Sequence, residues 1–246
     1  MPTQQYRTKD GKRVKGVTTI LNVLAKPALI FWGYTQGLEN FNRITEQISR
    51  ECQSKDHFNY INLRESILKV LKEFEIGALY DKRDKAATAG TLGHLFVENH
   101  LKGLPDPSTA GLPEPIVKKA EGSYLAYLEW ERSHKFQMVH SELPLVSEEH
   151  KFGGTIDIGA VVGEMGIVDI KTSKGIYFTM IVQVAAYGQL YNEHHPDAPI
   201  KGYHILRLGE EGDFDHKYWP NLDDYWEVFK LCLGIQNILD KTGQKL

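Results

Sequence analysis

Cysteine is almost missing from this 246-residue chain, which holds only Cys52 and Cys232. Two thiols cannot build a disulfide framework, a four-cysteine zinc site or a four-cysteine iron–sulfur cluster, so any metal centre has to come from carboxylates and histidines. Long apolar runs are missing too. No stretch approaches the length of about 18 residues that a membrane-spanning helix needs. The opening Met1-Pro2-Thr3-Gln4-Gln5-Tyr6 has neither a secretory apolar region nor an Arg-rich amphipathic pattern, so a cytoplasmic protein with no membrane partner is expected. No repeat period or low-complexity tract is visible. With 41% hydrophobic and 25% charged residues the chain has a globular composition, which excludes disorder, collagen and coiled coil.

Positive charge is not in excess either. Lys plus Arg number 29 against 32 Asp plus Glu, for a net charge of -3, which is not the balance of a plain electrostatic nucleic-acid binder. The total hides a division. Arg7, Lys9, Lys12, Arg13, Lys15 and Lys26 stand against Asp10 alone in the first 30 residues, whereas Leu208 to Glu227 carries seven acids against Lys217.

Hydrophobic period and punctuation give the organisation. Tyr6 to Val17 reads as a hairpin turning at Asp10-Gly11, Thr18-Thr19 as a cap for the helical run Ile20 to Leu24, and Pro27 as the opening of another helix. Helical patterns follow at about 27–50, 61–74 and 84–102, and after the Pro- and Gly-rich stretch 103–115 one more reaches Ser133. The second half changes character. Phe136 to Val146, Phe152 to Val162 and Gly166 to Thr172 read as strands, the last two joined by Gly163-Glu164-Met165. Then come a helix at Thr179 to Glu193, strands at Lys201 to Leu208 and Phe214 to Trp219, and a helix at Leu222 to Leu239. The expected class is α/β, a mixed central sheet flanked by helices, with a mostly helical N-terminal lobe over 1–80 and a core over 81–246 forming one compact unit.

Three constellations carry chemistry. In Ile167-Val168-Asp169-Ile170-Lys171-Thr172, period-2 geometry puts Asp169 and Lys171 on one face and Val168 and Ile170 on the other. Charges in an apolar strand are costly unless paired or in use. Asp157, the only charge in Phe152 to Val162, lies one hairpin away, so two carboxylates and a lysine share a cleft suited to a hard divalent cation. Lysine suits orienting or deprotonating an attacking water. Taken singly, Asp169 and Lys171 read as a same-face structural ion pair and Asp157 as a strand-end or turn contact; together, at this spacing, they point to a shared site.

On the helix around Ala86 to Leu101, Ala87, His94, Val97, Glu98 and Leu101 share a stripe while Leu92, Leu95 and Phe96 cover other sides, so burial nearly all round is expected. His94 could then be a metal ligand oriented by Glu98, or a core histidine satisfied by its own i+4 glutamate. Gln183 and Tyr187, one turn apart beside Ala186 and Leu190, could hydrogen-bond a phosphate or brace the lysine, or form a polar rim.

The ordered series Gly154-Thr155-Ile156-Asp157, Val168-Asp169-Ile170-Lys171-Thr172 and Gln183-Val184-Ala185-Ala186-Tyr187 resembles the PD-(D/E)xK nuclease superfamily, in its RecB-like exonuclease branch. Gly90-Thr91-Leu92-Gly93-His94 resembles the helical element before that branch's core. Val17-Thr18-Thr19-Ile20-Leu21, with Lys26-Pro27-Ala28-Leu29 and Trp32, is similar to the N-terminal lobe of phage-type and mitochondrial genome maintenance exonucleases. The resemblance spans about Arg13 to Leu208. It implies a restriction-endonuclease-like core; metal ligation by His94, Asp157, Asp169 and the Ile170 carbonyl; a water-activating Lys171; supporting Gln183 and Tyr187; and an acid at Glu142 on the first core strand. Ile156 replaces the superfamily's proline, and the cysteines of the iron–sulfur subset have no counterparts. The implied activity is Mg2+- or Mn2+-dependent exonucleolytic hydrolysis of DNA, from single-stranded ends, in a bacterial or phage-infected cell. Lys12, Arg13, Lys15, Lys26, Ser173 and Lys174 are expected to meet the DNA, with Trp32 and Tyr34 as base-stacking platforms. Alternatives are a structure-specific or RNA-cleaving endonuclease, a binding module on the same fold, and a zinc hydrolase built on His94 and Glu98; the last leaves Asp169 beside Lys171 unexplained.

Overall fold

The computed structural model describes residues 5–24, 35, 38–39, 42–43, 45–46, 49–50, 77–162 and 164–244. Most of the expected helices at 27–50 and all of that at 61–74, with Lys26, Trp32, Tyr34 and Cys52, lie outside them. The chain divides into two compact units, one of Met1–Leu24 with Ala89–Leu246 and one of Ala25–Thr88. Every strand among the described residues belongs to the first unit, and the helix Gly77–Lys102 starts in the second and ends in the first.

The elements run β1 (Tyr6–Arg7), β2 (Arg13–Gly16), α1 (Val17–Ile20), a 3-10 turn (Leu21–Val23), α2 (Gly77–Lys102) and α3 (Glu114–Ser133). Then come β3 (Gln137–Val146), β4 (Phe152–Val162), β5 (Glu164–Lys171), α4 (Phe178–His194), β6 (Gly202–Leu208), β7 (Phe214–Trp219) and α5 (Asp223–Thr242). Among the described residues no helix is long and apolar enough to cross a membrane.

Local chemistry accounts for the boundaries. Gly11, at φ +82°, turns the β1–β2 hairpin, and the Thr8 backbone N–H donates to Lys12 O at 2.9 Å. The Thr18–Thr19 cap is not formed: α1 already starts at Val17, behind Gly16, because Val17, Ile20 and Leu21 are drawn into the core. Pro115 stands in the first turn of α3, where its missing N–H costs nothing. Gly243, at φ +69°, ends α5 in the left-handed conformation. The β4–β5 connection is tighter than expected, since Val162 already pairs with Glu164.

The sheet is mixed and runs β1-β2-β4-β5-β6-β7, with β3 also on β4. Pairs β2–β4 and β5–β6 are parallel; β1–β2, β3–β4, β4–β5 and β6–β7 are antiparallel. Helices cover both faces. One core joins Val17, Ile20 and Leu21 to Phe152, Ile156, Ile167 and Ile205, beneath Val184, Tyr187 and Leu190 of α4 and Trp226 and Phe229 of α5. The other joins Val97 of α2 and Tyr127 and Trp130 of α3 to Ile158, Val168, Ile170 and Leu206. This α/β sandwich fulfils the expected class. β5, antiparallel to β4 and parallel to β6, is buried on both faces and reads as an apolar run interrupted by Asp169, where the candidate site begins.

Candidate metal centre

The site arises where β4 changes neighbours and faces. Gly153 pairs with Gly16 of β2 and also with Val146 of β3, so those strands lie on opposite edges of β4. β5 joins β4 only from Ile158 onward. Residues 154–157 therefore face a gap between β2 and β5. Across the same stretch the packing reverses: Phe152 and Ile156 belong to the α4–α5 core, whereas Ile158 and Ala160 belong to the α2–α3 core. β3 follows the same switch, since Leu143 pairs with Ile156 and Ser141, two residues away, pairs with Ile158. Asp157 and, across from it, Glu142 sit at this crossover. Glu142 has a left-handed backbone, φ +53°, a conformation that costs a non-glycine residue about 1–2 kcal/mol and is retained where the surroundings enforce it.

The β4–β5 ladder stops at Ile158–Val168, one position short of setting Asp157 opposite Asp169. There the carboxylate takes over the role of a strand carbonyl: Ile170 N–H donates to Asp157 Oδ2 at 2.8 Å. Asp169 next to it is completely buried. Neither of its oxygens makes a hydrogen bond of normal geometry, and Oδ2 is in charge contact with the Lys171 ammonium. Lys171 Nζ also donates to Ile170 O at 3.3 Å, so the carbonyl expected to face a metal holds the lysine.

Helix α2 brings the imidazole. A side chain at Gly90 would put Cβ 2.6 Å from Thr172 Oγ1, and one at Gly93 would put it 3.4 Å from Ser123 Cβ. Gly90 thus lets α2 lie against Thr172 just beyond β5, and His94 Nδ1 comes 3.9 Å from Asp157 Oδ2. His94, Glu142 and Asp157 each offer a ligand atom, all within 4.8 Å of one another. Asp169 stands beside this trio, not in it. The expected all-round burial of the helix is only partly met: Ala89, Leu92, Phe96 and Val97 are buried, Ala87 is exposed, and His94 and Glu98 are half-buried. Glu98 does not orient His94, because its carboxylate is held by Lys102 one turn on.

Electrostatics follow from packing like charges away from water. Burial, then repulsion from Lys171, pulls the His94 pKa down to about 4, so the imidazole is neutral and free to ligate. Burial, then Asp157 and Glu98, pushes Glu142 up to about 7. Asp157 and Asp169 are raised as well, by burial first, with Lys171 opposing. Three carboxylates whose charge one lysine only partly offsets, one of them with a buried oxygen that has no partner, plus a neutral imidazole and no thiolate, fit a hard divalent cation. His94, Glu142, Asp157 and Asp169 are the residues that would hold it.

Gln183 and Tyr187 are brought to the same place. Gln183 Nε2 donates to Tyr187 Oη at 2.7 Å, and the phenol's pKa is raised well above its usual value by burial and by Asp169 and Asp157. Gly154 makes room, since a Cβ there would lie 2.7 Å from the Tyr187 ring. Tyr6 is a neighbour that sequence reasoning missed. Its ring rests on Gly153, where a Cβ would come within 2.3 Å, and its hydroxyl lies 2.9 Å from Thr155 Oγ1, two residues before Asp157. The glycine doublet inside a strand was the available signal of a close approach.

The residues expected to meet DNA are scattered by comparison. Ser173 Oγ donates to Gly175 O at 2.7 Å in the bend after Lys171, and Lys174 is exposed beside it. Lys12, Arg13 and Lys15 line a separate cleft with Lys151, Gln236 and Asp240, away from the carboxylates. There Lys15 pairs with Asp240, and Lys12 pairs with Asp10 at 2.9 Å.

No protein-family model and no curated protein sequence matches the chain. Among solved structures it is similar to the crystal structure of a provisionally named exonuclease from Eubacterium rectale, with a TM-score of 0.42 and 12% identity over 64% of this chain and 69% of that one.

Proposed function

We propose that the protein is a metal-dependent nuclease of the PD-(D/E)xK type that hydrolyses DNA phosphodiester bonds from single-stranded ends. The observation that carries this reading is Asp169, fully buried, with Oδ2 on the Lys171 ammonium and Oδ1 without a hydrogen-bond partner, next to the His94–Glu142–Asp157 trio. A buried carboxylate in that condition costs stability unless a cation completes it. The order of the motifs along the chain supports the same family.

A divalent cation at these residues supplies charge for the phosphoryl oxygens and a water of lowered pKa. The remaining work falls to the chain. Asp169 and the Ile170 carbonyl fix the Lys171 ammonium, whose proposed role is to orient the attacking water and to offset negative charge growing on the phosphate. Asp157, held by Ile170 N–H, keeps β4 and β5 in register across the gap. Neutral His94 keeps a lone pair available at neutral pH. Tyr187 accepts from Gln183 and keeps its own proton for an incoming oxygen.

The test is degradation of end-labelled single-stranded, double-stranded and circular DNA with Mg2+, beside Asp169→Ala and Lys171→Ala. Metal-dependent loss of linear single strands, abolished in both variants, is the expected result. Equal cleavage by the variants overturns the site, and circles cut as fast as linear strands overturn the exonuclease assignment.

A further inference from the structure

Two large aromatic side chains stand in the open a few residues beyond Lys171. Tyr177 is 45% exposed and Phe178 52%, consecutive in sequence, where the bend after β5 enters α4. Ordinary surface drift does not account for them, because both neighbours are anchored. Ile176 and Met180 pack on the core, the Tyr177 backbone N–H donates to Met180 Sδ at 3.4 Å, and Ser173 Oγ ties the bend to Gly175 O. Phe178 is braced at 5.7 Å by the Tyr225 ring of α5. Rings held outward on a fixed backbone cost little further entropy when a ligand covers them.

Charge beside the rings selects the occupant. Lys174 is exposed on the same bend, and Lys171 lies at its start. On the far side, next to Tyr225, the first turn of α5 is acidic, with Asp223 and Asp224. A polyanion is therefore drawn to the Lys174 side and turned away from α5. Aromatic faces flanked by a cation on one side match a single strand, whose unpaired bases stack without sequence preference while its phosphates follow the positive charge. A duplex keeps its bases stacked on one another and offers the rings nothing.

We propose that Tyr177 and Phe178 form a stacking ledge for the bases of a single-stranded nucleic acid whose backbone passes Lys174 on its way to Lys171. The ledge gives the nuclease reading, on which it rests, its preference for single strands.

Binding in EDTA, where metal-dependent hydrolysis stops, separates the ledge from catalysis. Fluorescence anisotropy with a labelled twelve-nucleotide oligothymidylate, the same length of abasic strand and a twelve-base-pair duplex is the measurement. Tyr177→Ala and Phe178→Ala are each expected to weaken oligothymidylate binding about fivefold or more while leaving abasic-strand and duplex binding unchanged. Tyr177→Phe and Phe178→Tyr, which keep the rings, bind as the parent does. Asp223→Asn with Asp224→Asn strengthens binding. The ledge is overturned if the parent does not bind oligothymidylate, if the alanine variants bind it as the parent does, or if they lose abasic-strand binding equally. A parent that binds in a ring-dependent way yet cleaves nothing sinks the nuclease reading and leaves the ledge standing. Metal-dependent cleavage with ring-independent binding does the reverse.

Discussion

Two clusters of polar side chains stand on opposite faces of the β5–β6 pair, where His204 pairs with Val168 and Asp169 with Ile205, and they are satisfied in opposite ways. One is the carboxylate group around Asp169. The other is a chain of imidazoles in which His204 Nδ1 lies 3.0 Å from His216 Nε2, His216 Nδ1 lies 3.3 Å from His134 Nε2, and His134 Nδ1 lies 2.9 Å from Trp130 O. A carbonyl only accepts, so His134 Nδ1 carries the proton, its Nε2 accepts from His216, and His216 Nε2 accepts from His204. Burial first pushes His204 and His216 toward the neutral form, and each contact along the chain then joins one donor to one acceptor. The Asp169 cluster has the reverse character, an excess of acceptors of one sign with too few donors. Polar groups that close on themselves hold a fold together, whereas groups left wanting await something from outside.

Removing the wanting side has the largest expected effect. Asp169→Ala and Lys171→Ala should each lower the turnover of single-stranded DNA by about a thousandfold or more, the scale at which one member of a catalytic unit matters. Circular-dichroism melting is expected to find both variants folded. Turnover within tenfold of the parent would mean that the carboxylates are only an ion-pair device, like the closed cluster.

Breaking the closed side should do the opposite. His216→Ala strands His204 Nδ1–H and His134 Nε2 together, and is expected to cost about 2–4 kcal/mol in urea unfolding while turnover per folded molecule stays at the parental value. Lost turnover with intact stability would sink the division of labour between the clusters.

Acid and base then separate the two. His204 is held down to about 4 by burial first and by His216 and His134 next, while Asp215 on β7 pulls His216 the other way. A histidine lowered in the folded state leaves stability intact above the unfolded value near 6.5 and removes it as pH falls through 6.5 toward 4, by about 3 kcal/mol in all. Glu142, raised from 4.5 to about 7, works the other way: the folded state holds the proton longer, so stability declines as pH rises from 4.5 to 7. Because Glu142 is half-exposed, that decline is on the order of 1–2 kcal/mol. In EDTA, Glu142→Gln should therefore melt higher than the parent at pH 8 and alike at pH 4, while acid lability below pH 6 persists. Metal affinity, read by isothermal titration, should rise with pH up to about 8 in the parent and lose most of that slope in Glu142→Gln.

Asp157, Asp169 and Lys171 were legible in the sequence because a strand alternates, so a charge among β-branched residues declares its face. Gly90, Gly93 and His94 were legible as a motif, and the α/β order as a switch of period. What was illegible depends on partners distant along the chain. Glu142 was expected as an acid on the first core strand, but its closeness to His94 and Asp157 depends on β3 and β4 changing faces together at a left-handed residue. Tyr6 reaches Thr155 across 149 positions. The N-terminal run of cations was visible as a sum, but its pairing with α5 was not, since Lys15 meets Asp240 from 225 positions away.

That surface pair marks the small end of the comparison. Like the imidazole chain, Lys15 and Asp240 satisfy each other, but at 38% and 48% side-chain exposure neither has given up its water. Closure without burial is worth little, and Asp240→Asn should change unfolding free energy by about 0.2–1 kcal/mol. The same substitution releases a cation beside Arg13 in the N-terminal cleft. If a single strand runs along this cleft, its affinity should rise about twofold, with a steeper dependence on salt as one more phosphate is neutralised. Unchanged affinity and salt slope, at the same stability, would remove Lys15 from the nucleic-acid path and leave it as half of a surface pair.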